Sequence, residues 1–176
     1  MAAEDVLIIE DGTGVPNANT YVTLAEYKNY LTMYNNTAAL AKTDEALVAS
    51  LLSGADYLNT YKFKGAQSTQ VQGLAWPRGE VFLRDDPLPS PDNVIPSVIK
   101  KAQMAASEIN VGGQNLQPNI LPGTFLKRNK VGPLEKEYFN GMDSGIYSPT
   151  FSFVDGILAD YLTGGTAMYS LRTKRI

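Results

Sequence analysis

Three segments with helical periodicity, separated by a long segment that has none, set the main limit on how this chain can fold. Apolar side chains recur every three or four residues in 24–34, 43–61 and 95–111, which is the spacing of a helix with one buried face. Residues 63–95 show neither a helical nor a strand period and are rich in Gly, Pro, Gln and Ser, a composition typical of loops. The sequence therefore predicts a mainly α fold, a small helical bundle with one long irregular loop.

The starts of these helices are marked by residues suited to satisfy free N–H groups. Thr23 and Glu26 have the spacing of a capping box at the first helix. Pro96 suits the first turn of the third helix, and Asp92 and Asn93 just before it are candidate caps. We therefore expect helices from about 24 to 34, from 44 to 61 and from 96 to 111.

A glycine inside the second predicted helix needs a separate reason. Gly54 costs of order 1 kcal/mol against Ala in a helix. A close approach of a neighbouring helix would require the small residue at this position. The position therefore marks a candidate helix crossing.

Outside the helices, the chain carries segments that need something to pack against. Residues 6–9 form a short β-branched run that predicts a strand, either packed on its own domain or extended as an arm to another subunit. Residues 153–162 predict a short amphipathic helix, ended by two glycines. One domain is expected over 1–176, with an N-terminal arm (1–20), a helical core (21–112) containing the loop (63–95), a short β-hairpin (124–140) and an extended C-terminal tail (163–176).

The amino-acid composition excludes most common types of catalytic site. The chain has 176 residues, no cysteine and no histidine, so Cys/His zinc sites, Fe–S clusters, Cys nucleophiles and Ser-His-Asp triads are excluded. Asp85 and Asp86 sit in no recognisable metal-ligand loop, and surface charge explains them better. We predict no catalytic residues, no metal and no cofactor, and a protein that is not an enzyme.

Net charge and hydropathy limit the kinds of partner that the chain can bind. The net charge is −3, which opposes coating of nucleic acid, since phosphate binding needs local Lys and Arg. No stretch approaches the ~18 apolar residues of a membrane span, and the acidic start lacks the basic residues of a signal peptide. We expect a soluble intracellular protein that does not contact membrane.

Three sets of residues are candidates for interaction. Trp76, Pro77 and Arg78 lie in the long loop and serve either as an anchor on the helices or as a subunit contact. The hairpin carries Lys127, Arg128 and Lys130, which form either a solvated strand face or a contact with an acidic partner. The C-terminal tail is either solubilising or a docking peptide, with apolar anchors and cations that comprise Tyr169, Leu171, Arg172, Lys174, Arg175 and Ile176.

Several segments together resemble one known family. They are NTYVTLAE (19–26), ADYL (55–58), FKG (63–65) and LAWPR (74–78). These segments are similar to those of the head-to-tail connector, or adaptor, proteins of tailed bacteriophages. Many members of that group carry the label "DnaT-like single-stranded DNA-binding protein". The resemblance covers roughly residues 17–176, and the Ala-Trp-Pro-Arg unit is its most specific part.

The resemblance implies a structural role in the virion neck, with assembly in the host cytoplasm. Such adaptors form a homo-oligomeric ring, here expected to hold about twelve copies, that joins the capsid portal to the phage tail around the DNA channel. By position, the C-terminal tail would bind the portal protein, and a downstream tail or nozzle protein would bind the other side. An acidic chain suits a conduit through which genomic DNA passes without specific binding. The label leaves an alternative, a single-stranded DNA-binding accessory protein of replication.

Overall fold

The computed structural model places two compact parts of the chain. They comprise Met1–Leu116 with Phe151–Ile176, and Gln117–Thr150. Residues 1–116 and 151–163 are called the body below. The residues that the structure describes are 3–84, 86–118 and 151–163, with the backbone of two strands at 128–131 and 134–137. The expectation of one domain over 1–176 stays a prediction.

The fold is mainly α-helical, as predicted. The described residues form α1 (Leu24–Met33), α2 (Thr37–Leu40), α3 (Asp44–Asn59), α4 (Ser97–Val111) and α5 (Ser152–Leu158). Short 3-10 helices occupy Ala3–Val6 and Ala159–Tyr161. The three long predicted helices are confirmed, and each observed end lies within two residues of the predicted one. Helix α2 was not predicted. The predicted last helix is α5, which tightens into the 3-10 helix Ala159–Tyr161.

The helices bury the faces that the periodicity indicated. Leu47, Leu51 and Leu58 of α3 are almost fully buried, and Ile99 and Ala102 of α4 are fully buried. Tyr34 was predicted to share the buried face of α1, but its side chain is 50% exposed because it caps the end of the helix. Burial of such apolar side chains is the main favourable term in folding.

Helices α3 and α4 make a close crossing at Gly54. A Cβ atom at this position would lie 2.9 Å from the main-chain oxygen of Gln103 and would also clash with the Ser107 hydroxyl. A glycine is therefore required where α4 approaches α3, as its place in the sequence indicated.

This crossing gives a matched pair of glycine substitutions. Gly54→Ala is expected to lower the free energy of unfolding by about 1 to 3 kcal/mol, because overpacking outweighs the gain in helix propensity. Gly156→Ala in α5, where a Cβ would meet nothing within 4 Å, is expected to raise it by about 0.5 to 1 kcal/mol. Urea unfolding of both variants measures the difference. Equal effects would show that α3 and α4 do not cross at Gly54.

The predicted capping box is confirmed at α1 and the predicted caps of α4 are wrong. The Glu26 N–H donates to Thr23 Oγ1 at 3.1 Å, and the Thr23 N–H donates to Glu26 Oε2 at 2.7 Å. In α4 the N-cap is Pro96, with no side-chain hydrogen bond. Neither Asp92 nor Asn93 caps the helix, and the main-chain carbonyl of Asp92 instead accepts a hydrogen bond from Ser68 Oγ at 2.7 Å within the long loop.

The predicted strand over residues 6–9 is also wrong, because Val6 ends a 3-10 helix and only Ile9 makes a β-bridge, with Thr20. The next residue, Glu10, is buried. Its carboxylate accepts hydrogen bonds from the N–H groups of Gly12, Gly14 and Val15 at 2.8 to 2.9 Å. These bonds close residues 10–15 into a tight loop. The Gly73 N–H donates to the Val15 carbonyl at 3.2 Å, so this part of the predicted arm packs on its own chain.

Two small antiparallel ladders complete the described structure. Within the long loop, β1 (Ala66–Gln67) pairs with β2 (Arg78–Gly79). In the second unit, β3 (Arg128–Val131) pairs with β4 (Leu134–Glu137), which confirms the predicted hairpin. The C-terminal tail beyond Thr163 lies outside the described residues. Within the described part of the chain, no helix has the length and apolar character needed to cross a membrane.

Candidate functional site

Trp76 is the centre of the long loop and is fully buried in its own chain. Its ring makes edge contacts with Phe63 and Tyr161, at centroid distances of 6.0 and 5.6 Å. Its main-chain N–H donates to the Tyr21 hydroxyl at 3.1 Å. The indole thus fastens the loop to the helices and leaves no exposed surface for contact with another subunit.

Arg78 has a structural use as well. Its Nε donates to the Lys64 carbonyl at 2.8 Å, and its terminal nitrogens donate to the carbonyls of Gly65 at 2.7 Å and Ala75 at 3.2 Å. Desolvation lowers the pKa of Arg78, although the guanidinium stays charged at neutral pH. With its donors turned to backbone carbonyls, Arg78 is poorly placed to bind phosphate. Pro77, which lies between Trp76 and Arg78 in the sequence, is also buried.

Gln103 is a buried polar residue that sequence reasoning missed. Its side-chain NH₂ donates to Thr20 Oγ1 at 2.9 Å and to the Leu51 carbonyl at 3.0 Å, and its oxygen accepts from the Tyr21 N–H at 2.9 Å. Such a satisfied network orders a core. The available signal was a lone glutamine within the apolar stripe of α4.

In the described part of the chain, the segments around residues 62–64 and 82–84 meet in a patch that we call the cationic face. It comprises Lys62, Lys64, Phe82 and Arg84. Lys64 Nζ lies 3.4 Å from the Phe82 carbonyl oxygen, and the side chain of Phe82 is 56% exposed. Arg84 is 4.0 Å from Asp160 in a loose ion pair. The Lys62 carbonyl accepts two hydrogen bonds from Thr163, so the described chain ends beside this face.

The hairpin cations lie opposite acidic residues. The register pairs Arg128 with Glu137 and Lys130 with Glu135. Opposite charges at facing positions of an antiparallel pair balance each other. Lys127 lies outside the described residues, as do all six candidate positions of the C-terminal tail.

Charge is distributed unevenly along the chain. Residues 1–116 and 151–163 contain eight basic and fifteen acidic residues, whereas the rest of the chain contains seven basic and three acidic residues. Among the eight, Lys28 pairs with Asp44 at 2.7 Å and Lys100 with Glu26 at 3.3 Å. The body is therefore acidic, and several of its cations are already neutralised.

Most aromatic side chains of the body are turned inward. Tyr21, Tyr27, Tyr57 and Phe63 are each at most 5% exposed. Burial raises the pKa of Tyr27 to about 12, so its hydroxyl stays neutral at physiological pH. Stacking of nucleobases needs exposed rings. In the described part of the chain, no group of His, Cys, Asp and Glu residues is arranged to hold a metal ion.

Comparison with known proteins gives one match. The sequence profile of the family described as "Putative DnaT-like ssDNA binding protein" matches residues 6–176. No curated protein and no solved structure matches the chain.

Proposed function

This chain belongs to the family described above, and we propose that it works as a structural head-to-tail adaptor of a tailed phage. In this role, about twelve copies form a closed ring by repeating one head-to-tail contact. The ring joins the capsid portal to the phage tail, and genomic DNA passes through its centre. The resemblance of the loop and helix motifs to phage adaptors is one support for the proposal.

The observation that carries the proposal is that the body is acidic and buries most of its aromatic side chains. Eight basic against fifteen acidic residues give a surface that repels phosphate. Arg78 is bonded to backbone carbonyls, and the indole of Trp76 is buried. A conduit needs a wall to which DNA does not adhere, whereas a binding protein needs a basic groove lined with exposed rings.

Exposed apolar side chains support assembly with other proteins. Large apolar side chains at the surface are typical of subunit contacts when they occur in patches. Their exposed fractions range from 37% to 83% in Val6, Ile8, Ile9, Met33, Tyr34, Val71, Phe82, Leu88, Val94 and Phe153. We assign these surfaces to neighbouring copies in the ring and to the protein on its downstream side.

The C-terminal tail is proposed to bind the portal. Leu171 and Ile176 are apolar anchors, and Arg172, Lys174 and Arg175 supply charge for an acidic groove. A weak contact per copy becomes strong when it is repeated around a ring.

A second candidate function is binding of single-stranded DNA, which the description of the family names. The cationic face favours it, because it combines the exposed ring of Phe82 with the basic residues Lys62, Lys64 and Arg84. One exposed aromatic ring and three cations fit a short stretch of single strand. Asp160 beside Arg84 reduces the local positive charge.

Titration with single-stranded DNA separates the two functions. At about 150 mM salt, the adaptor role predicts a Kd of about 10 μM or weaker, which is the range of non-specific binding. Fluorescence anisotropy with a labelled oligonucleotide measures it. Sub-micromolar binding that is lost in Phe82→Ala and in Lys64→Glu, but kept in the control Phe153→Ala, would transfer the proposal to the DNA-binding role.

A further inference from the structure

A short segment near the N-terminus has a free β edge. At the parallel bridge between Ile9 and Thr20, the Glu10 N–H donates to the Thr20 carbonyl at 2.9 Å, and the Thr20 N–H donates to the Ile8 carbonyl at 3.4 Å. In this pattern the N–H and C=O of Ile9 point away from Thr20. No hydrogen-bond partner of the Ile9 N–H occurs among residues 3–84, 86–118 and 151–163. The Leu7 N–H already donates to the Glu4 carbonyl at 3.0 Å, so Ile9 is the point at which a further strand can pair.

The side chains around this edge indicate what would bind there. Ile8 is 43% exposed and Ile9 is 37% exposed. The exposed acidic residues on either side are Glu4, Asp5 and Asp11. We call residues 7–10 with these three carboxylates the acidic edge. Strand addition draws affinity from main-chain hydrogen bonds and specificity from side chains, so this edge fits an extended peptide with apolar and positive residues.

One segment of the chain has that chemistry. Residues 164–176 contain three basic residues and no acidic residue, and Leu171 and Ile176 add apolar side chains. A second copy of the acidic edge would be repelled by its like charge. The hairpin strands β3 and β4 are already paired with each other. The C-terminal tail is therefore the occupant that charge complementarity favours.

The tail has a reach comparable to the length of α3, the helix that both Lys62 and the N-terminal 3-10 helix adjoin. Thr163 is held at Lys62, three residues beyond the end of α3, and the 3-10 helix Ala3–Val6 packs against α3. Helix α3, with 16 residues, is about 24 Å long. Residues 164–170 can span about 24 Å when extended. Residues 171–176 follow this span in the sequence and carry the apolar and basic side chains of the tail.

We propose that residues 171–176 add as a strand to the acidic edge of the same chain before assembly, and that the portal displaces them. The displacement part rests on the proposed function. The contact shields the apolar anchors of the tail and the β edge together, which keeps the tail of one free subunit from pairing with the edge of another. Portal binding then exposes the edge only in assembled copies.

Amide hydrogen exchange in the full chain, without portal, tests the contact. The charge-reversed variant Arg172→Glu/Lys174→Glu/Arg175→Glu is compared with the unaltered protein by NMR. We expect exchange of the Ile9 amide to accelerate at least about tenfold, because its added hydrogen bond is lost. The Glu10 amide serves as the internal control, since its partner is the Thr20 carbonyl, and its exchange should change by less than about twofold.

A charge swap completes the test. Adding Glu4→Lys/Asp5→Lys to the charge-reversed tail should restore slow exchange at Ile9. Equal exchange at Ile9 with and without charge reversal, or failure of the swap to restore protection, would overturn the contact. Protection that rises with protein concentration would assign the strand to another copy and likewise overturn it. Because no portal is present, these results stand apart from the adaptor role: failure to bind portal-bearing heads would remove only the displacement step.

Discussion

Trp76→Ala is expected to lower the free energy of unfolding by about 3 to 5 kcal/mol, the largest stability effect of any substitution considered. The indole is fully buried between Phe63 and Tyr161, which lie far apart in the sequence. Its removal leaves a cavity at the point where the loop is fastened to the core. Because a single domain has a total stability of only about 5 to 15 kcal/mol, much of the folded population is at risk. Thermal and urea unfolding measure the loss.

Two control variants identify the cause of that loss. Trp76→Phe keeps an aromatic ring, and the indole Nε1 has no hydrogen-bond partner in the described part of the chain, so a smaller loss is expected. Phe82→Ala removes a half-exposed ring from the same loop and should change stability by less than about 0.5 kcal/mol. If Trp76→Ala unfolds like the unaltered protein, the indole does not anchor the loop.

Deleting residues 170–176 is expected to abolish attachment to portal-bearing heads while leaving the body folded. The body ends at Thr163 through hydrogen bonds to Lys62, and the deleted residues follow beyond it, so little stability should be lost. Around a ring, loss of one weak contact per copy removes the combined affinity, which can exceed the single contact by about 100-fold or more. Co-sedimentation with DNA-filled, tailless heads measures attachment.

Charge reversal refines the deletion experiment. Arg172→Glu/Arg175→Glu should weaken attachment more at low salt than at high salt, because salt screens the attraction to an acidic groove. Reversal of Lys101 to Glu, on the exposed side of α4, serves as the matched control and should leave attachment unchanged. Full attachment by the truncated protein would place the portal contact elsewhere, on the acidic edge or on the hairpin.

Local signals predicted the helices, because their causes lie within a few residues. The periodicity of α3 and α4 and the Thr23 capping box each depend on neighbours three or four positions apart. Gly54 was identified for the same reason, as a residue out of place in its own helix. The strand predicted for 6–9 failed because Val6 is the last residue of a 3-10 helix and, of these four residues, only Ile9 makes a β-bridge.

Features that depend on contacts between residues far apart in the sequence could not be predicted from local patterns. Gln103 bonds to Tyr21, 82 residues away, and no local pattern specifies that partner. The cationic face joins residues 62–64 with 82–84, which are separated by most of the long loop. The sequence identified Trp76, Pro77 and Arg78 as candidates. Only the structure shows that Arg78 donates hydrogen bonds to backbone carbonyls.

We propose that this acidic body assembles into a ring on the portal. Electron microscopy of portal-bearing, tailless heads incubated with the full chain tests this assembly. The expected result is a closed ring of about twelve copies seated on the portal, around a channel wide enough for duplex DNA. A protein that stays monomeric, leaves the portal bare and binds single-stranded DNA at sub-micromolar concentration would contradict it.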